Sequence, residues 1–75
     1  MKNEIHEYVP EDQVIINLIE EASDLAYKII RLKNFLNSGK LISHDQREYM
    51  NNQHEAMLTY LWCLYQRIYN LIFEK

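Results

Sequence analysis

Apolar residues run through residues 58–73 in two parallel rows, and this pattern constrains the fold more than any other feature of the chain. Side chains three and four positions apart share one face of an α-helix, so each row forms a continuous seam. The first seam comprises Met57, Leu61, Leu64, Ile68 and Leu71, and the second seam comprises Leu58, Trp62, Tyr65, Tyr69 and Ile72. A helix that is apolar over most of its surface is normally buried. One partner helix cannot cover both seams.

A heptad pattern upstream supplies a partner for the first seam. Its members, spaced alternately three and four apart, are Ile15, Leu18, Ala22, Leu25, Ile29, Leu32 and Leu36. This spacing predicts an amphipathic helix. Pro10, followed by the acidic pair Glu11 and Asp12, suits the first turn of that helix. We therefore expect a first helix over residues 10–37, after an N-terminal arm of residues 1–9.

Residues 38–43 have the composition of a turn. Gly39, the one glycine of the chain, follows the first helix at a position where the backbone commonly adopts a left-handed conformation. Ser43 and Gln46 match a capping box, in which the Ser43 hydroxyl accepts from the Gln46 amide. These residues predict a second helix over 43–74, antiparallel to the first.

The pattern as a whole predicts an all-α fold. Residues 10–75 are expected to form an antiparallel two-helix hairpin, with the first helix covering the first seam. The second seam is then left for another subunit, so we expect the hairpin to assemble into a homo-oligomeric helical bundle. Leaving five such side chains in water would forgo on the order of 10 kcal/mol of burial free energy.

Size and cysteine content narrow the class of protein. A chain of 75 residues makes one domain, in the size range where a single core is marginal. The one cysteine, Cys63, excludes an internal disulfide, and its place in the apolar helix predicts a buried thiol in an intracellular protein. Polar residues interrupt the apolar stretch, which favours burial against protein over a membrane span. The polar first ten residues do not resemble a targeting segment.

Charge is distributed unevenly along the chain. Residues 1–24 carry a net charge of -6, whereas residues 25–47 carry +4. The basic end, with Arg31 and Lys33 near the start of the second helix, favours a small anionic ligand over extended nucleic acid. The simpler interpretation is that these two residues complement the negative end of the first helix dipole.

The sequence predicts neither catalysis nor a cofactor. The three histidines are not spaced as metal ligands on one helical turn. Glu20, Glu21 and Asp24 face away from the apolar stripe and lack the desolvation that acid–base catalysis by carboxylates needs. We therefore expect a non-enzymatic protein without a metal.

A row of polar and aromatic residues follows one side of the second helix. Tyr49, Gln53, Tyr60 and Arg67 are spaced four and seven apart, so their side chains share a face. Tyrosine rings stack on nucleobases as well as on protein. The row is therefore either one wall of a ligand site or a hydrogen-bonded interface.

A set of residues across the hairpin carries a family resemblance. It comprises a Ser-Gly-Lys turn together with Arg31, Leu32, Phe35, Leu36, Gln53, Ala56, Met57, Tyr60, Leu64, Arg67 and Ile68. On this pattern, residues 25–72 resemble a group of small phage helical-hairpin proteins of the crAss-like phage type. That group is similar in size and design to the phage anti-CBASS and anti-Thoeris sponges, which oligomerise and sequester cyclic nucleotide signals of bacterial immunity.

The resemblance implies a phage accessory protein in the cytoplasm of an infected bacterium. It would sequester a small anionic ligand of the cyclic nucleotide type at subunit interfaces. The resemblance and the basic end together indicate six candidate ligand contacts, namely Arg31, Lys33, Tyr49, Gln53, Tyr60 and Arg67. The alternative is an interaction or structural module that docks a host or virion protein through the second seam. Neither function requires a membrane.

Overall fold

The computed structural model describes residues 11–73, which form two helices joined by a short turn. Helix α1 spans Glu11–Leu36 and helix α2 spans His44–Phe73. The helices pack against each other along their length. The prediction of an all-α helical hairpin is therefore confirmed. The predicted arm of residues 1–9 lies outside the described residues.

The core lies between the two helices, along the rows that the sequence predicts. Within residues 11–73, the buried side chains are Leu18, Ala22, Leu25, Ile29, Leu36 and Leu64. Leu64 is the most deeply buried of them, at 0% exposure. Val14 and four residues of the first seam, namely Met57, Leu61, Ile68 and Leu71, pack against this core and are themselves half-buried. The first seam therefore faces α1, and it contributes most of the surface that α2 buries.

Local hydrogen bonds fix the turn between the helices. Gly39 has a φ of 79°, a left-handed conformation that glycine adopts without steric cost. The Ser38 hydroxyl donates to the Phe35 carbonyl at 2.7 Å at the end of α1. At the start of α2 the Gln46 amide donates to the Ser43 hydroxyl at 3.1 Å. The predicted left-handed glycine and the predicted N-cap are both confirmed.

Arg47 ties the start of α2 to the end of α1. Its guanidinium donates to the Leu36 carbonyl at 3.0 Å and to the Lys40 carbonyl at 3.4 Å. The last carbonyls of a helix have no partner within that helix, so they need an outside donor. The half-buried Arg47 supplies it, and its charge also suits the negative end of the α1 dipole.

The two sides of the hairpin differ in chemistry. Antiparallel right-handed helices, viewed from one end, turn in opposite senses. Residues one position after the core-facing row of each helix therefore lie on the same side of the hairpin, and residues one position before it lie on the other side. We call the first side the apolar flank; it carries Ile16, Ile19, Ser23, Ala26 and Ile30 of α1 with the second seam of α2. The opposite side is the polar flank; it carries Asn17, Glu21, Asp24, Lys28 and Arg31 of α1 with Tyr49, Gln53, Tyr60, Cys63 and Arg67 of α2.

The second seam stays in water in the single hairpin. Its exposure ranges from 42% at Ile72 to 62% at Trp62. Cys63 is exposed as well, so the prediction that its thiol is buried is wrong for the hairpin. The reason is rotational: Leu64 points at α1, and the preceding residue turns by about 100° onto the polar flank. Within the described part of the chain, neither helix is long and apolar enough to cross a membrane.

Candidate functional site

The polar flank holds five of the six predicted ligand contacts. Arg31 comes from α1, and Tyr49, Gln53, Tyr60 and Arg67 come from α2; all five are exposed.

The sixth predicted contact, Lys33, lies elsewhere. Residues two positions apart point to opposite sides of a helix, and Leu32 between Arg31 and Lys33 faces the core. Lys33 therefore lies on the apolar flank. The structure does not bring it together with the other five residues.

The contacts on the polar flank are also spread along the hairpin. Tyr49 and Arg67 are 18 positions apart on one helix, which places them about 27 Å apart along its axis. A ligand pocket of about 300–1,000 Å³ is only about 7–10 Å across. One small ligand therefore cannot touch the whole row. The row divides into a group near the turn, with Arg31, Tyr49 and Gln53, and a group near the open end, with Tyr60 and Arg67.

A groove opens beside Arg67 at the open end of the hairpin. It has a volume of about 390 Å³ and is lined by Val14, Gln66, Arg67, Asn70 and Leu71. One guanidinium and two side-chain amides thus stand beside two aliphatic side chains, within the usual size range of ligand sites.

Four of the groove residues were not among the sequence candidates. Gln66 and Asn70 interrupt an otherwise apolar stretch, and this interruption is the feature of the sequence that marks them. Val14 joins them only because the antiparallel fold brings the start of α1 beside the end of α2.

Tyr60 is joined to α1 across the polar flank. Its phenol donates a hydrogen bond to the Glu21 carboxylate. This hydrogen bond raises the pKa of Tyr60; partial desolvation and the negative charge of Glu21 add to the effect, and the positive charge of Arg67 opposes it. Tyr60 is therefore a neutral donor already engaged by Glu21. A ligand that binds its hydroxyl must displace that carboxylate.

The cations near the turn already interact with groups of the hairpin. The Arg31 guanidinium lies 5.6 Å from the centre of the Tyr27 ring, and the Lys40 ammonium lies 6.0 Å from that of Phe35. Arg47 donates to backbone carbonyls. These contacts make the turn a weaker site for an anion than the groove beside Arg67.

A second groove lies at the start of α2. It has a volume of about 300 Å³ and is lined by His44, Arg47, Glu48, Asn51 and Asn52. The Glu48 carboxylate in its wall disfavours an anionic ligand. Within residues 11–73, no three histidine, cysteine, aspartate or glutamate side chains lie close enough together to hold a metal ion.

Fold and flanks define a class of protein: a small all-α hairpin with an open, ligand-sized groove on a polar flank and an uncovered apolar flank. A family model described as Sequestin matches residues 12–70, which include the turn and nearly all of both helices. The chain therefore belongs to the Sequestin family. No curated protein and no solved structure shows a significant match to it.

Proposed function

We propose that this protein is an oligomeric, non-enzymatic phage accessory protein that binds and sequesters a small anionic ligand of the cyclic nucleotide type. The name of the family, Sequestin, is compatible with a sequestering role. The observation that carries the proposal is the groove at the open end, where Arg67 stands beside Gln66 and Asn70 over an aliphatic floor.

The groove combines three kinds of group that such a ligand uses. A guanidinium pairs with phosphate through two parallel hydrogen bonds. Side-chain amides both donate and accept, as the edge of a nucleobase does. The side chains of Val14 and Leu71 offer apolar contact to the face of a base.

An open groove on one hairpin reaches only one side of a ligand. Tight sites for small molecules bury about 70–90% of the ligand surface. A protein that sequesters its ligand must bind it tightly enough to deplete it. The second wall of the site then comes from another copy of the hairpin, and the ligand lies at a subunit interface.

Charge around the groove gives the proposal a signed test. Arg67 attracts an anion, whereas Glu21, which is bonded to the neighbouring Tyr60, repels it. Arg67→Gln should weaken binding, and Glu21→Gln should tighten it by a few fold, in keeping with about 0.2–1 kcal/mol for exposed charge pairs. Lys40→Gln makes the same charge change as Arg67→Gln at the turn and serves as the matched control.

Calorimetric titration of the protein against a panel of cyclic nucleotides and ADP-ribose products measures these effects. We expect heat from at least one ligand, a loss with Arg67→Gln and no change with Lys40→Gln. Absence of heat across the panel at tens of micromolar protein would reject the proposal. A loss confined to Arg31→Gln would instead place the ligand at the group near the turn.

A second function is favoured by a different observation. The second seam is 42–62% exposed, so it offers an apolar surface to another protein. On this proposal the chain is an interaction or structural module that docks a host or virion protein. Recovery of one specific protein from infected cells, lost with Trp62→Ser, together with silent calorimetry, would favour this alternative.

A further inference from the structure

The apolar flank is large enough to form a stable interface. Its large side chains are Ile16, Ile19, Ile30, Leu58, Trp62, Tyr65, Tyr69 and Ile72, and each is 42–62% exposed. At about 200 Å² for each large side chain, the exposed part amounts to roughly 800 Å². Stable protein interfaces of standard size bury about 800 Å² on each partner. The apolar area that one hairpin exposes on this flank is therefore about the area that a specific partner would cover.

The apolar flank changes character toward the turn. Its large apolar residues end at Ile30 on α1 and begin at Leu58 on α2. Beyond them, the same side of the hairpin carries Lys33 on α1 and Glu48, Asn51 and Glu55 on α2, all exposed. On each helix the apolar row is thus about 21 Å long, at 1.5 Å per residue, and next to the turn the flank carries charges of both signs.

A second copy can cover this flank by a two-fold rotation in two ways. With the turns at the same end, the two-fold axis runs along the hairpin, and α1 of each copy lies over α2 of the other. With the turns at opposite ends, α1 lies over α1 and α2 lies over α2. In this second arrangement the apolar parts of the two copies overlap only if the charged end of each copy extends beyond the other copy.

The register of the hairpin distinguishes the two arrangements. The Tyr60 phenol donates to the Glu21 carboxylate and the Arg47 guanidinium donates to the Leu36 carbonyl, so each pair lies at about the same height, to within about two residues. At that register Lys33 is level with residues 48–50, of which Glu48 lies on the apolar flank. A two-fold axis along the hairpin preserves height, so Lys33 would lie over Glu48 of the partner subunit, an attractive pair.

The steric pattern agrees with the charge pattern. The middle of the α1 row is small, at Ser23 and Ala26, whereas at this register the α2 row carries Leu58 level with Ser23. Placing α1 over α2 packs Leu58 of one copy against Ser23 of the other, a large side chain against a small one, as interdigitating helices require. Placing α1 over α1 would face small residues with small residues and leave a gap.

We propose that a second copy of the chain stacks on the apolar flank with both turns at the same end, forming a four-helix bundle in which Lys33 pairs with Glu48 of the partner subunit. This arrangement rests on the proposed function in requiring an oligomer, and it specifies which surface assembles. Every helix is antiparallel to its two neighbours, which suits the helix dipoles. The polar flank with Arg67 faces outward and remains available for a ligand and for the wall that a further copy provides.

Pulsed electron paramagnetic resonance between spin labels measures the arrangement directly. The label is placed in the turn by Ser38→Cys in a chain with Cys63→Ser. Turns at the same end of a bundle two helices wide place the labels within roughly 30 Å of each other. Turns at opposite ends place them more than about 50 Å apart. The long distance, or the absence of dipolar coupling, would overturn the proposal.

Matched substitutions test the surface itself by light scattering. Trp62→Ser should shift the particle toward the chain mass of 9.1 kDa. Tyr27→Ser removes a ring of nearly equal exposure, 63% against 62%, away from the apolar flank and should leave the mass unchanged.

The charge pair has its own test by the same measurement. Lys33→Glu should raise the dissociation constant of the dimer, and Lys33→Glu with Glu48→Lys should restore it. Equal dissociation constants for the single and double variants would refute the pair.

The outcomes separate this proposal from the proposed function. If the distance between the labels is short and calorimetry detects no heat of binding, the four-helix bundle is supported and the ligand-binding proposal is rejected. Heat of binding together with a long distance between the labels supports the ligand and rejects the bundle. Heat of binding by a particle of 9.1 kDa rejects the bundle and also the placement of the ligand at a subunit interface.

Discussion

Leu64 and Leu41 offer the same substitution in opposite surroundings. Leu64 is 0% exposed in the core, whereas Leu41 in the turn is 100% exposed. Truncating Leu64 to alanine removes about three carbon atoms from the core, at about 0.8 kcal/mol each. The cavity adds to this cost, and Leu→Ala substitutions in cores span about 2–5 kcal/mol. With only two helices around the site, partial collapse is easy, so we expect about 3 kcal/mol for Leu64→Ala.

Urea unfolding followed by circular dichroism measures this cost. For a chain of this size the free energy of unfolding falls by about 1 kcal/mol per molar urea, so the midpoint for Leu64→Ala should drop by about 3 M. The protein concentration must be held fixed, because the stability of an oligomer depends on it. Leu41→Ala should stay within about 0.5 kcal/mol of the unsubstituted chain. Equal costs for the two variants, or a cost below about 1 kcal/mol for Leu64→Ala, would refute packing of the first seam as the source of stability.

Three further changes test the turn and the polar flank. Gly39→Ala should cost about 1 kcal/mol, because alanine is strained at a φ of 79° although its Cβ meets no atom within 4 Å; Gly39→Asn should cost less, and equal urea midpoints for the two would contradict a backbone cause. Arg47→Met keeps the aliphatic stem but removes the donors to two carbonyls, and should lower the free energy of unfolding by about 1–3 kcal/mol; an unchanged midpoint would show that water replaces them. The pKa of Tyr60 is raised in the folded state above its ordinary value of 10.0, so the stability from its bond to Glu21 is present below pH 10 and is lost as the pH rises through the folded pKa. The unsubstituted chain should therefore lose stability more steeply above pH 10 than Tyr60→Phe does, and parallel profiles in urea titrations would rule this out.

The packing of the two helices could be predicted because it depends on local spacing. A repeat of three and four residues determines which side of each helix faces its neighbour, whatever the rest of the chain does. Leu18, Leu25 and Ile29 are buried for this reason, and Leu64 is buried opposite them. The turn followed from chemistry equally local, since only a few residue types tolerate the backbone of Gly39 or cap a helix as Ser43 does.

The candidate site depended on register and on length, which the spacing does not give. Glu21 and Tyr60 are 39 positions apart, so their hydrogen bond could not be inferred from either helix alone. The groove likewise joins Val14 to Arg67 from the two ends of the described chain. The row from Tyr49 to Arg67 shares one face, as the spacing predicts, but its length of about 27 Å exceeds the size of one small-molecule site.

The structure also separates the surface proposed for assembly from the surface proposed for binding. Trp62 and Arg67 are five positions apart on α2, and a rotation of about 100° per residue turns them roughly 140° away from each other. A substitution on one flank therefore leaves the side chains of the other flank in place. If the bundle proposed above forms, Trp62→Ser should dissociate the hairpins without removing any group that lines the groove. Arg67→Gln should weaken binding of the ligand without changing the mass of the particle. If Trp62→Ser also abolishes binding, the second wall of the site depends on the assembly, as tight capture of a small ligand in an open groove would require.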